Sequence, residues 1–201
     1  MRVAVIGSGK IGGTLAKHWG AAGHQVIVGA RDPSKAEVQS LLGEIGSGAR
    51  AVPITEAVAD AEAVLFAVPG AAMAETLEKV GPSLGSRVAI DATNNRGGSG
   101  FNNVDKITAA APQAQVYRAF NTYGWENLDN PTFGSEKADQ IFAGPDGGGR
   151  ALVEELITSA GLHPVWIGGL DQVPVVDSIV LVWFGLVSAK GTRHIGLKVL
   201  G

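Results

Sequence analysis

Residues 2–35 constrain this chain more than any other stretch, because an apolar strand, a glycine turn and a helical pattern follow one another without a break. Val3, Val5 and Ile6 make the strand, and Gly7-Ser8-Gly9-Lys10-Ile11-Gly12 comes next with the spacing G-x-G-x-x-G. Alone, that spacing is a weak signal; between a strand and a helix it has a mechanism. The first glycine permits a tight turn, the second lets backbone approach a pyrophosphate, and the third lets helix and strand pack closely. Amides at the helix start, with the positive end of the helix dipole, then face the phosphates. The periodicity predicts a helix over 10–22, with Ile11, Leu15, Ala16 and Trp19 at helical spacing and Gly23 as its C-terminal stop, followed by a second strand over 24–28.

About twenty residues past such glycines, at the end of the second strand, an NAD site usually carries an acid for the ribose hydroxyls. Here that place holds Gly29-Ala30-Arg31. A guanidinium presents a planar fork suited to a phosphate, which a carboxylate would repel. The expected cofactor is therefore NADP rather than NAD. Asp32 could be a displaced ribose ligand; with Pro33 after it, it reads instead as the N-cap of a helix through Ala36, Val38 and Leu41. Lys35 would lie one turn into that helix, either reaching the same phosphate or simply solvated.

The remaining chain repeats the unit. Apolar runs at 51–54, 63–68, 88–90, 116–120, 140–143 and 162–167 read as strands, separated by helical patterns and turn residues. A continuous run such as 63–68 suits a parallel strand buried on both faces, and Thr55 reads as the cap of the short helix after 51–54. The predicted fold is α/β, a Rossmann-type doubly wound, mostly parallel sheet with a short C-terminal helical extension. Ligands of such sheets lie beyond the carboxyl ends of the strands, which puts Val68 and Pro69 beside the cofactor. Asp91, at another strand end before Thr93 and Asn94, reads as a turn-fixing residue more than as a catalytic acid. Trp125, just past Asn121-Thr122, is either ordinary packing or a wall for a planar ring. Residues 97–100 read as a flexible connection.

Residues 1–168 are taken as the nucleotide-binding domain and 169–201 as an extension too small to fold alone. Within it, Val175, Val176, Ile179, Val180, Trp183, Phe184 and Val187 make an apolar face wider than a surface helix needs. That face predicts a lid over the crevice and a share in a dimer interface. The tract 173–189 falls short of the ~20 residues that cross a bilayer and contains Pro174 and Asp177, so it reads as a buried helix. At 201 residues with 45% hydrophobic content the chain can bury a sizeable core, and its net charge of −3 recommends neither nucleic acid nor an anionic membrane as partner. Without cysteine it has no disulfide, zinc–thiolate site or thiol nucleophile. A strand that begins at residue 2 leaves no room for a signal segment, and a cytoplasmic protein is expected.

The glycine turn, Val28-Gly29-Ala30-Arg31 with Lys35, Val68-Pro69, Arg118-Ala119-Phe120-Asn121-Thr122 and the closing Gly196-Leu197-Lys198-Val199-Leu200 together resemble the NADPH-dependent reductases of the deazaflavin coenzyme F420. The resemblance runs from Met1 to Leu200. It implies a homodimer in which NADP lies across the strand edge and F420, or a flavin-type ring, lies against the nicotinamide. Ser8, Gly9, Lys10 and Ile11 would take the pyrophosphate, with Gly7 making the turn before them. Ala30, Arg31 and Lys35 would surround the extra phosphate, and Val68, Asn94 and Ala119 would line the nicotinamide end. Ala30 stands where the family has serine, and Asn121 where it can have histidine.

The reaction implied is direct hydride transfer, which needs alignment of two rings and no protein nucleophile. No catalytic side chain and no metal are assigned; His18, His24, His163 and His194 are isolated in the sequence. Two alternatives stay open. A 2-hydroxyacid or imine reductase shares the N-terminal motif but needs a larger C-terminal domain, often with a lysine, for which Lys190 is a poor candidate. A non-enzymatic NADP sensor would need only the binding site.

Overall fold

The computed structural model describes residues 1–46, 48–95 and 101–200; the connection predicted at 97–100 lies outside them. The chain lays down β1 (Arg2–Ile6), α1 (Lys10–Ala21), β2 (Gln25–Ala30), α2 (Ala36–Ile45), β3 (Arg50–Pro53), α3 (Ile54–Asp60), β4 (Ala63–Phe66), α4 (Met73–Leu84), β5 (Val88–Asp91), α5 (Val104–Ala110) and β6 (Gln115–Arg118). The six strands form one parallel sheet in the order β3-β2-β1-β4-β5-β6. The order reverses between β1 and β4, and the crevice of a doubly wound sheet opens at that point.

Side-chain alternation divides the core between the sheet's faces. Val3 and Val5 of β1 and Leu65 of β4 pack with Leu15 and Trp19 of α1, whereas Ala4, Ile6, Val64 and Phe66 pack with Leu77 and Val80 of α4. Both strands are therefore apolar at every buried position, which is why they read as runs without polar interruption.

After β6 come α6 (Trp125–Asp129), the antiparallel pair β7 (Thr132–Phe133) and β8 (Glu136–Lys137), then β9 (Asp139–Phe142), α7 (Gly148–Ser159), β10 (His163–Trp166) and α8 (Val173–Lys190). The runs predicted at 140–143 and 162–167 are strands, but they pair with each other rather than extending the sheet. Their contact with it is an isolated antiparallel bridge between Arg118 and Ala143. The chain leaves β6 through Phe120, whose φ of 60° is in the left-handed region, and whose ring is held edge-on against Trp19 at 5.8 Å.

Several local expectations need correction. Asp32 does not cap α2: its Oδ1 accepts the Ser34 amide at 3.0 Å and the Ser34 hydroxyl at 2.6 Å, a side-chain turn of the kind Asp forms readily. The helix begins only at Ala36, and Lys35 stands at its cap instead of one turn inside. Thr55 lies within the first turn of α3, with Pro53 at the cap. The C-terminal helix is longer than the predicted tract and is not a buried one. Its helical run spans Leu170–Lys190, 21 residues, and its most apolar 18-residue window has mean hydropathy 1.7 and is 22% buried, so by length and composition alone it could cross a membrane. In the chain it is half packed: Val173, Val176, Val180 and Trp183 face inward, while Val175, Leu181 and Val182 are 48%, 64% and 57% exposed.

The last residues return to the body. Trp183 Nε1 donates to the Ile195 carbonyl at 2.9 Å, and Asn127 Nδ2 donates to Arg193 and Ile195 carbonyls at 2.9 and 3.2 Å. Leu197 then accepts from the Asp139 amide at 2.9 Å.

Candidate functional site

The glycine turn shows which glycines the protein needs for itself. A Cβ on Gly7 would sit 2.6 Å from the Ala67 carbonyl carbon, with φ already at +111°, and one on Gly12 would sit 1.9 Å from the Gly7 carbonyl oxygen. These two answer to the fold. A Cβ on Gly9 would meet nothing within 4 Å, so its missing side chain leaves space at the turn for a ligand to reach the backbone.

That space belongs to a cleft of about 860 Å³ beyond the ends of β1, β2 and β4. The predicted residues Gly7, Ser8, Gly9, Lys10, Ile11, Ala30, Arg31, Lys35, Val68, Pro69 and Asn94 all line it. Ala119 is not among the lining residues; it is fully buried in the core behind the cleft, with its amide 3.4 Å from the Asp91 carbonyl. Ile54, Ala92 and Thr93 line the cleft and were missed from sequence. Each lies just past the end of a strand, β3 or β5, and the rule that singled out Val68 applied equally to them.

Electrostatics divide the cleft. Lys10, Arg31 and Lys35 supply three cations, with Asp32 as the carboxylate among the lining residues. The Arg31 side chain is in an exposed stretch and makes no hydrogen bond or ion pair among the described residues. Lys35 sits 3.8 Å from Glu37, both largely exposed, a pair that solvent screens. The hydrogen bond from the Ser34 hydroxyl, then that from the Ser34 amide, hold the Asp32 carboxyl below its usual range, so it stays ionised, with Oδ1 committed to its own turn. Lys10 Nζ stands 4.6 Å from the Trp125 ring centroid. Trp125, weighed from sequence as a wall for a planar ring, is occupied by this cation.

The other end is polar and buried. Asp91 behaves as its position suggested: Oδ1 accepts the Thr93 amide and hydroxyl at 2.9 and 2.6 Å, and Oδ2 accepts the Asn103 amide at 2.7 Å. Asn94 Oδ1 accepts from Arg118 Nη2 at 2.8 Å, and Asn94 Nδ2 donates to the Asn121 carbonyl at 2.8 Å. Away from the cleft, His24 contacts Ser159 at 2.8 Å, His163 contacts Asp139 at 3.0 Å and His194 stacks on Phe133. The arrangement offers an open backbone turn, a cationic end and a polar floor: what a dinucleotide with an extra phosphate requires.

Comparison with known proteins agrees. Residues 2–95 match the family described as NADP oxidoreductase coenzyme F420-dependent, a span that holds every lining residue of the cleft. The F420-dependent NADP reductase of Methanothermobacter marburgensis is 27% identical over 99% of this chain and 98% of its own length, and that of Methanothermobacter thermautotrophicus 26% identical over 99% and 94%.

Over 99% of its length the chain is similar to these F420-dependent NADP reductases.

The family's description and the names of both relatives are those of NADP-dependent oxidoreductases. Solved structures show the same fold. A proposed F420 dependent NADP-reductase from Arthrobacter sp. FB24 matches with a TM-score of 0.86 at 23% identity and covers both chains fully. The hypothetical protein SMa0349 of Sinorhizobium meliloti matches at 0.73 and 29%, over 85% of this chain and 86% of that one. A reductive aminase of Aspergillus terreus shares the fold at 0.68 and 19%, yet this chain spans only 60% of its length. The F420 reductase relatives have no such surplus.

Proposed function

We propose that this protein transfers a hydride between NADPH and a deazaflavin of the F420 type, and that it works as a homodimer. The observation that carries the reading is Arg31: a guanidinium with no hydrogen bond or ion pair among the described residues, at the end of β2, on the wall of a cleft whose Gly9 backbone is open. The names of the two Methanothermobacter relatives support the choice of acceptor.

Bound NADPH would supply the hydride. The chain's own part is binding, alignment and exclusion of water. Arg31 and Lys35 hold the 2′-phosphate, the amides from Gly9 to Ile11 meet the pyrophosphate at the start of α1, and Val68 and Pro69 give an apolar wall against which a ring can lie. Asn94 keeps one acceptor lone pair and one N–H beyond the bonds it already makes, and these orient the nicotinamide end. Donor and acceptor carbons must come within about 3–3.5 Å, and alignment of that kind supplies much of the acceleration. The exposed face of α8, with Leu181 and Val182, is the surface assigned to the second copy.

Mixing the pure protein with NADPH and oxidised F420, and in parallel with flavin mononucleotide, tests the acceptor by which chromophore bleaches. Bleaching of F420 supports the reading. Bleaching of the flavin alone replaces the acceptor, and turnover of neither contradicts hydride transfer in favour of a dinucleotide-binding sensor.

A further inference from the structure

Arg118 is fully buried at the end of β6 and shares its guanidinium between two places. Nε donates to Asp177 Oδ1 of α8 at 2.8 Å, and Nη2 donates to Asn94 Oδ1 at 2.8 Å, while Nη1 is fixed by the Asp91 and Thr93 carbonyls at 3.1 and 2.5 Å. A guanidinium is a rigid plane with five donors, so its two ends cannot be oriented separately. A second path joins the same residues: Asn121 Nδ2 lies 3.4 Å from Asp177 Oδ1, and the Asn121 carbonyl accepts from Asn94 Nδ2. Asp177 thus bears on both polar atoms of Asn94, although no residue of α8 lines the cleft.

We infer that Asp177 is a positioning residue for the nicotinamide end of the cleft, acting from α8 through Arg118 on the Asn94 carboxamide. The inference rests on the proposed reading of the cleft, in which Asn94 meets the nicotinamide end and Arg31 the 2′-phosphate. Asp177 touches no ligand. It fixes which atoms Asn94 presents, and it does so across a contact that a purely cofactor-binding domain would not need. Buried networks of this kind are cooperative, so their members do not contribute independently.

The test uses two ligands that share the phosphate end: NADPH, and 2′,5′-ADP, which lacks the nicotinamide. Both are titrated into the wild type, Asp177→Ala, Asp177→Asn, Asn94→Ala and the Asp177→Ala/Asn94→Ala double variant, with near-ultraviolet circular dichroism confirming the native fold. Asp177→Ala should weaken NADPH about tenfold while changing 2′,5′-ADP by less than about twofold. Asp177→Asn, which keeps an acceptor for Arg118 Nε, should recover part of the loss. In the Asn94→Ala background the Asp177→Ala factor should vanish. Equal losses for both ligands, no loss for NADPH, or additive losses in the double variant would overturn the proposal. A wild type that binds NADPH but not 2′,5′-ADP contradicts the phosphate reading alone, and additivity measured on NADPH then decides this one; a wild type that binds neither overturns both.

Discussion

Lys10 lies over the indole of Trp125, its Nζ 4.6 Å from the ring centre, so the charged residue inside the glycine motif is held by an aromatic from the far side of the sheet sequence. Lys10 lines the cleft at the start of α1, and Trp125 opens α6. Trp125→Leu should release the lysine and lower NADPH affinity by the value of one exposed cation–π contact, about 0.5–1 kcal/mol, or roughly twofold to fivefold. A fluorescence or calorimetric titration reads it, and unchanged affinity would mean that Lys10 needs no holding.

Two glycines of the turn, Gly12 and Gly9, should separate cleanly. Gly12→Ala would put a methyl 1.9 Å from the Gly7 carbonyl oxygen and should cost about 1–3 kcal/mol as an overpacked core does, seen as a lower melting temperature. Gly9→Ala meets nothing in the protein and should melt with the wild type while losing dinucleotide affinity. Equal melting losses for both variants would show that Gly9 serves the fold.

His24 makes stability depend on pH. It is buried, with Nε2 2.8 Å from Ser159 Oγ and Nδ1 3.3 Å from the terminal amine. Burial first, then the charge of that amine, pushes its pKa below the usual 6.5, against a smaller opposing pull from Glu155. Below that value the unfolded chain takes up a proton that the folded chain resists, so stability falls as pH falls from about 6.5 toward the lower folded pKa. Denaturant melts at about pH 7.5 and 5.5 should show this drop, and His24→Gln should reduce it. A wild-type loss that the variant reproduces in full would assign the effect to another group.

The apolar outer face of α8 should be covered in solution. With Leu181 64% and Val182 57% exposed in the single chain, sedimentation should show a dimer that Leu181→Asp dissociates. A wild-type monomer would remove the second copy from the account.

What could be read from sequence follows what each residue answers to. Strands β1 and β4 are buried on both faces, so their runs show them directly, and the glycine turn shows the cleft because Gly7 and Gly12 answer to contacts within the same unit. Asp32 misled because an aspartate before proline suits both an N-cap and a side-chain turn, and the Ser34 hydroxyl decided between them. Ala119 was placed at the nicotinamide end by the family resemblance, but β6 ends at Arg118 and the alanine methyl packs into the core. The separation of β9 and β10 from the main sheet depends on where the chain goes after Phe120, which apolarity cannot express. Least legible was Arg118 with Asp177: each is the one charged residue of an apolar run, but the fold alone shows that they meet, at 2.8 Å.

The central claim is that Arg31 recognises the 2′-phosphate, and direct titration of Arg31→Ala with NADPH and NADH tests it. Loss of a charge-assisted contact of about 1.5–3 kcal/mol should weaken NADPH roughly tenfold to hundredfold while leaving NADH where it was. A variant that loses both nucleotides equally, or neither, would contradict the assignment of this cleft to NADP.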